Sequence, residues 1–192
     1  MRRMVLCFSL LVCANLASAE TPFQFGVPNN NAPEDPDVNG VRLSIFHGKN
    51  RSVRGLDLGL LSLSETSNLS GVGLVLGIGK VTGEMSGGAA FSLINIHTGR
   101  DRGLNAAFIN RINSAESAVN VGFVNIADGA TMVDVGGLNV SSRSTAQLGF
   151  INVTKEITGF QFGFLNIAEN GFLPVFPIFN FPKKSAAAGP AR

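Results

Sequence analysis

The chain has 192 residues, of which 45% are apolar and 15% charged, with 23 Gly, 15 Phe and neither Trp nor Tyr. Soluble domains are usually about a quarter charged, so charge is scarce here. Intrinsic disorder of the bulk of the chain is excluded, because it requires low hydrophobicity and high charge; the length suits a single domain.

The N-terminus reads as an address. Met1-Arg2-Arg3 is a positive n-region, Val5 to Cys13 a short apolar core, and Ala17-Ser18-Ala19 an A-x-A cleavage site. These are the parts of a secretory signal peptide, and the apolar run is too short to span a bilayer as a helix. Cleavage after Ala19 removes residues 1–19, and with them both cysteines, Cys7 and Cys13. The mature chain then has no thiol, hence no disulfide, thiolate metal site or Cys nucleophile. Loss of Arg2 and Arg3 leaves 13 basic against 13 acidic residues, a net charge of zero. Nucleic-acid binding needs a basic footprint, and none is present. A cysteine-free exported chain fits a bacterial envelope, in the periplasm, outer membrane or cell surface.

Residues 20–39 carry four Pro, three consecutive Asn and four acidic residues, and read as a flexible leader. From 40 to 181 the chain repeats. The unit Gly55-Leu56-Asp57-Leu58-Gly59-Leu60-Leu61-Ser62-Leu63 returns at Gly73, Gly88, Gly103, Ala118, Met132, Thr145, Gly159 and Leu173, at intervals of 13–18 residues. A tenth, divergent element lies at Val41–His47. The fifth position is small in eight of nine units (Gly59, Gly77, Ser92, Ala107, Gly122, Gly136, Gly149, Gly163), and the eighth is Asn in the last seven: Asn95, Asn110, Asn125, Asn139, Asn152, Asn166 and Asn180. Residues 182–192 read as a disordered, mildly basic tail.

Positions 2, 4 and 6 are apolar, as in Phe160, Phe162 and Phe164, while position 3 is usually polar: Asp57, Asn105, Asn120, Asp134, Gln147 and Gln161. That period of two predicts a strand with one buried face. Two all-β architectures accommodate it. In a β-solenoid each unit is one coil, the chain bends after position 6, positions 2, 4, 6, 7 and 9 point inward, and Asn stacks on Asn. The position-3 residues then form an exposed polar stripe suited to a glycan or other polymer. In an up-and-down antiparallel barrel of about ten strands, positions 2, 4 and 6 face lipid, which would make a small, channel-like outer-membrane protein. Three observations favour the solenoid. The spacings do not alternate between short turns and long loops, there are no Trp or Tyr girdles, and Pro174 and Pro177 sit in the last unit, where they would blunt an edge.

The run Gly55-Leu56-Asp57-Leu58-Gly59-Leu60, preceded by Gly48-Lys49-Asn50, and the unit Gly159-Phe160-Gln161-Phe162-Gly163-Phe164-Leu165-Asn166-Ile167 resemble the surface-repeat proteins of Gram-negative bacteria, with tandem G-[LF]-Q-x-G-x-x-N units. The closing Leu173–Phe181 segment is similar to the end of that family. The resemblance covers about residues 40–181 and implies an envelope or surface location, without implying an activity. Ser62 and Lys80 depart from the pattern where Asn is expected, as do Val75 and Ala90 where Gln is usual.

The chemistry-bearing residues are few. His47 and His97 are the two imidazoles, both beside turn sequences, where a solvated turn residue is the expected role. There is no paired-His metal spacing, no phosphate-loop Lys-Ser/Thr and no G-x-S-x-G elbow. The expectation is therefore a non-enzymatic protein with no catalytic, metal-binding or cofactor-binding residues and no cofactor. Its partner would be an envelope polymer, glycan or protein, with membrane association also open and nucleic acid excluded.

Overall fold

A computed structural model describes residues 20–183. The reading of residues 1–19 as a signal peptide, and of 184–192 as part of the tail, lies outside the described residues. The chain is an all-β solenoid of about nine turns. Its elements are β1 (Thr21–Val27), β2 (Asn30–Ala32), β3 (Asp37–Ala127), β4 (Ala130–Ala168) and β5 (Val175–Asn180). Single strands usually run 3–10 residues; the 91 residues of β3 wind through several coils, the chain turning at residues such as Phe46 and Leu61, whose φ values are +66° and +47°.

Successive coils pair in parallel. Val119, Asn120, Val121 and Gly122 lie on Val133, Asp134, Val135 and Gly136, and Asn125 lies on Asn139. At the ordinary strand spacing of about 4.8 Å, nine coils make a stack of about 40 Å. An up-and-down barrel requires antiparallel neighbours, so the barrel architecture is excluded.

Three expectations are corrected. First, residues 20–39 are not a free leader. β1 pairs in parallel with β3, Gln24 on Arg42 and Phe25 on Leu43, and β2 folds back antiparallel on β1. Second, the closing unit is not a further parallel coil: β5 runs antiparallel to β4, with Gln161 opposite Asn180. Third, the coils are turned inside out relative to expectation. Phe160, Phe162 and Phe164 are exposed, whereas Gln161 and Asn166 are fully buried. The period of two is real, but its polar face is the inner one.

Two columns of small residues permit this winding. Gly40, Gly55, Gly71, Gly88 and Gly103 stack at the start of successive coils with φ between +125° and +152°, a region that side chains with a Cβ avoid. A Cβ on Gly88 would stand 1.9 Å from the Gly71 carbonyl oxygen. This column places the third coil's start at Gly71 rather than Gly73. The second column, at position 5, includes Gly122, Gly136, Gly149 and Gly163. A Cβ on Gly149 would lie 2.2 Å from Gly136 O and 2.6 Å from Asn139 Nδ2. Gly149→Ala must therefore push on backbone and amide together. It is expected to lower stability by about 1–3 kcal/mol, read as a fall in the thermal unfolding midpoint.

Candidate functional site

The interior is built from columns of polar side chains. In the position-8 column, Asn95 Nδ2 donates to Asn110 Oδ1 at 3.0 Å, and the same bond repeats at 2.8 Å from Asn110 to Asn125, Asn139, Asn152 and Asn166 in turn. Four of these Nδ2 groups also reach a carbonyl of the next coil, Asn110 to Val121 O, Asn125 to Val135 O, Asn139 to Leu148 O and Asn152 to Phe162 O, at 2.9–3.0 Å, while the end members Asn95 and Asn166 donate within their own coils, to Ala90 O and Gly163 O. Both amide protons and the acceptor oxygen are thus in use, as a buried amide requires. The position-5 glycine leaves the space in which the amide of the preceding coil sits.

Asn180 does not belong to this column. Its Nδ2 donates to Leu173 O at 3.1 Å and to Gln161 Oε1 at 3.4 Å, so it caps the position-3 column from the antiparallel strand. At the other end, Gly79 rather than Lys80 stands beside Asn95. Lys80 turns outward, and its Nζ donates to Glu65 at 3.1 Å.

The position-3 residues form the second column. The expected exposed stripe, Asp57, Asn105, Asn120, Asp134, Gln147 and Gln161, is buried throughout, each residue at 3% exposure or less. Asn105 donates to Asn120 at 3.0 Å, Asn120 to Asp134 at 2.8 Å, and Gln161 to Gln147 at 2.8 Å. The stripe therefore cannot be presented to a glycan. Burial pushes the Asp134 carboxyl above its ordinary value, opposed by hydrogen bonds from Asn120, Thr131, Gln147 and Ser144.

Sequence reading missed the groups that complete this interior. Arg42 is fully buried, and its Nη1 donates to Asp57 Oδ2 at 3.3 Å and Ser64 Oγ at 3.1 Å. Desolvation lowers the Arg42 pKa, and Asp57 partly restores it. His97 is also buried rather than solvated. Its Nδ1 lies 2.5 Å from Asp101 Oδ2, which in turn accepts from Asn105 Nδ2 at 2.9 Å. His47 is half-exposed. One signal was available: Phe23-Gln24-Phe25-Gly26 repeats Phe160-Gln161-Phe162-Gly163 residue for residue, and Gln24 is buried like Gln161. The apolar part of the interior clusters at Val38, Val53, Leu69, Val81, Met85 and Ala90, and at Ile112, Ala115 and Ala118, with Ile157 and Ala168 also fully buried.

The cavity between Asp57 and His97 is about 20 Å³, the space of a single water. Among the described residues, no group of three or more His, Cys, Asp or Glu is placed to hold a metal ion. The surface is different. Phe46, Leu61, Phe108, Phe123, Phe150 and Phe164 are each at least three-fifths exposed. Phe108 stacks on Phe123 with centroids 5.2 Å apart, and Phe150 on Phe164 at 5.0 Å. The candidate functional surface is this apolar exterior. Searches against protein-family models, curated proteins and solved structures found no match to this chain.

Two outcomes follow. Asn139→Ala leaves the Asn125 amide and the Asn152 and Leu148 oxygens short of a partner, whereas Asn180→Ala disturbs only the cap. Calorimetry should show the larger loss for Asn139→Ala, at about 1–3 kcal/mol; equal losses would contradict a continuous ladder. For Asp134, the raised folded pKa means that its contribution to stability is complete at acid pH and is lost as pH rises through the folded value. Asp134→Asn cannot ionise. Its melting temperature relative to the parent should therefore rise as pH increases above about 4, the ordinary carboxylate value, and a flat difference would contradict the assignment.

Proposed function

We propose that this chain is an exported, non-enzymatic repeat protein of a Gram-negative cell envelope. Its role is structural or adhesive, and it works through the outer faces of the coil stack. The observation that carries this reading is the distribution of side chains. The groups with chemical reactivity, His97, Asp101, Asp57 and Arg42, are sealed inside, while the outside presents aligned apolar columns. Large exposed apolar patches on a folded protein mark places of association. The n-region, apolar core and A-x-A site of residues 1–19 support export, and the resemblance to surface-repeat proteins supports an envelope address.

Expression of the whole chain in a Gram-negative host tests the reading. The expected product begins at Glu20 by mass spectrometry and sediments with the envelope. Full-length chain that retains Met1 and stays in the cytosolic fraction would contradict it.

A further inference from the structure

The outer surface of the solenoid divides into three faces. Positions 2, 4 and 6 of each coil form one, and positions 7 and 9 a second; the turn residues form the third. From Leu56 to Ile167 the first two faces carry Val, Leu, Ile, Phe, Ala and Gly, with charge only toward the turn at Lys80 and Arg111. Both of these are ion-paired, to Glu65 and Asp128. The third face holds the remaining outward charges of these coils, and further pairs, Glu84 with Arg102 and Glu116 with Arg143, lie along it. The two apolar faces meet at the bend after position 6, where Phe108, Phe123, Phe150 and Phe164 project.

We infer that the two apolar faces and their shared ridge are inserted into the hydrocarbon of one membrane leaflet, with the charged turn face left in water. This rests on the reading of the chain as an association module and names its partner. Three observations select lipid over a second copy of the chain. The first is area. Fifteen large apolar side chains of these two faces, from Leu60 to Phe164, are more than a third exposed, on the order of 1,200 Å² in all, whereas one partner in a standard interface contributes about 800 Å². The second is shape. The ridge is convex, so a rigid partner laid on one face leaves the other and the ridge in water, while fluid acyl chains cover all three. Apolar grooves, such as that lined by Phe150, Phe162, Phe164 and Ile178, run between the exposed side chains. The third is depth. Five residues from position 2 to the ridge span about 16 Å, close to half of the about 30 Å hydrocarbon thickness. Backbone groups in lipid must be satisfied internally, and parallel pairing between coils does this along the stack.

The absence of Trp and Tyr makes the test direct, because one introduced Trp is the only strong emitter. Phe164→Trp places it on the ridge and Glu169→Trp on the charged face. The purified whole chain is mixed with phosphatidylethanolamine–phosphatidylglycerol vesicles brominated along their acyl chains. Ridge emission should shift to the blue and be quenched, while emission from position 169 stays unquenched. Equal quenching at both positions, or none at the ridge, would overturn the inference. In flotation, Phe123→Asp with Phe164→Asp should reduce the vesicle-bound fraction at least about tenfold with unchanged far-ultraviolet circular dichroism; undiminished binding by a folded variant would overturn it. A lipid-free dimer whose ridge Trp ignores vesicles would also overturn insertion, yet leave the broader association role standing. Failure to reach the envelope would instead remove that role.

Discussion

Asn110, Asn125, Asn139 and Asn152 each bind both the next Asn and the carbonyl at the fourth position of the next coil, and this double bond sets the geometry of the stack. The acceptor oxygen, both amide protons and the carbonyl must be in register simultaneously. A slip of one residue would replace an amide with an apolar side chain and leave several buried polar groups without partners, each costing about 1–3 kcal/mol. The glycines at position 5 are the other half of the same constraint. They keep empty the volume into which the preceding amide projects, so Gly and Asn recur together because neither position works without the other.

A polar interior dictates an apolar exterior. A narrow coil has little internal volume, and amides, hydroxyls and small side chains fill it by bonding along the stack. The fourteen Phe of residues 20–183 cannot fit there. The strands need large β-formers on their remaining positions, and these face outward. Outward-facing charge is left to the turns, where ion pairs such as Arg111 with Asp128 link one coil to the next. Exposed pairs of this kind contribute little to stability. Their importance is positional, because they define one water-facing side on an otherwise apolar rod. The proposed leaflet insertion follows from that asymmetry, and it needs neither a barrel nor a spanning helix.

Much of this was legible in the residues. The repeat, its coil architecture and the stacking of Asn95 through Asn166 follow from identical side chains at one register. What could not be read from alternation was which side faces in. A period of two states that the faces differ, and the usual preference for burying apolar groups points to the wrong face. The small fifth position was the available clue, since it shares a face with position 3 and marks where space is scarce. The early coils were misread for a related reason. Gly71 and Gly73 both match the unit, and only stacking on Gly55 and Gly88 selects the first. The Pro and Asn content of residues 20–38 concealed a coil whose Phe-Gln-Phe-Gly core matches a later unit.

The central claim is that the side-chain amides lie inside, bonded from coil to coil. Hydrogen exchange of the Asn side-chain amides, followed by nuclear magnetic resonance on the intact chain, tests this most directly. The Nδ2 protons of Asn125, Asn139 and Asn152 are predicted to exchange only as fast as the stack unfolds. Exchange at the rate of a free, solvated amide would contradict the buried ladder, and with it the inside-out arrangement on which the proposed membrane surface depends.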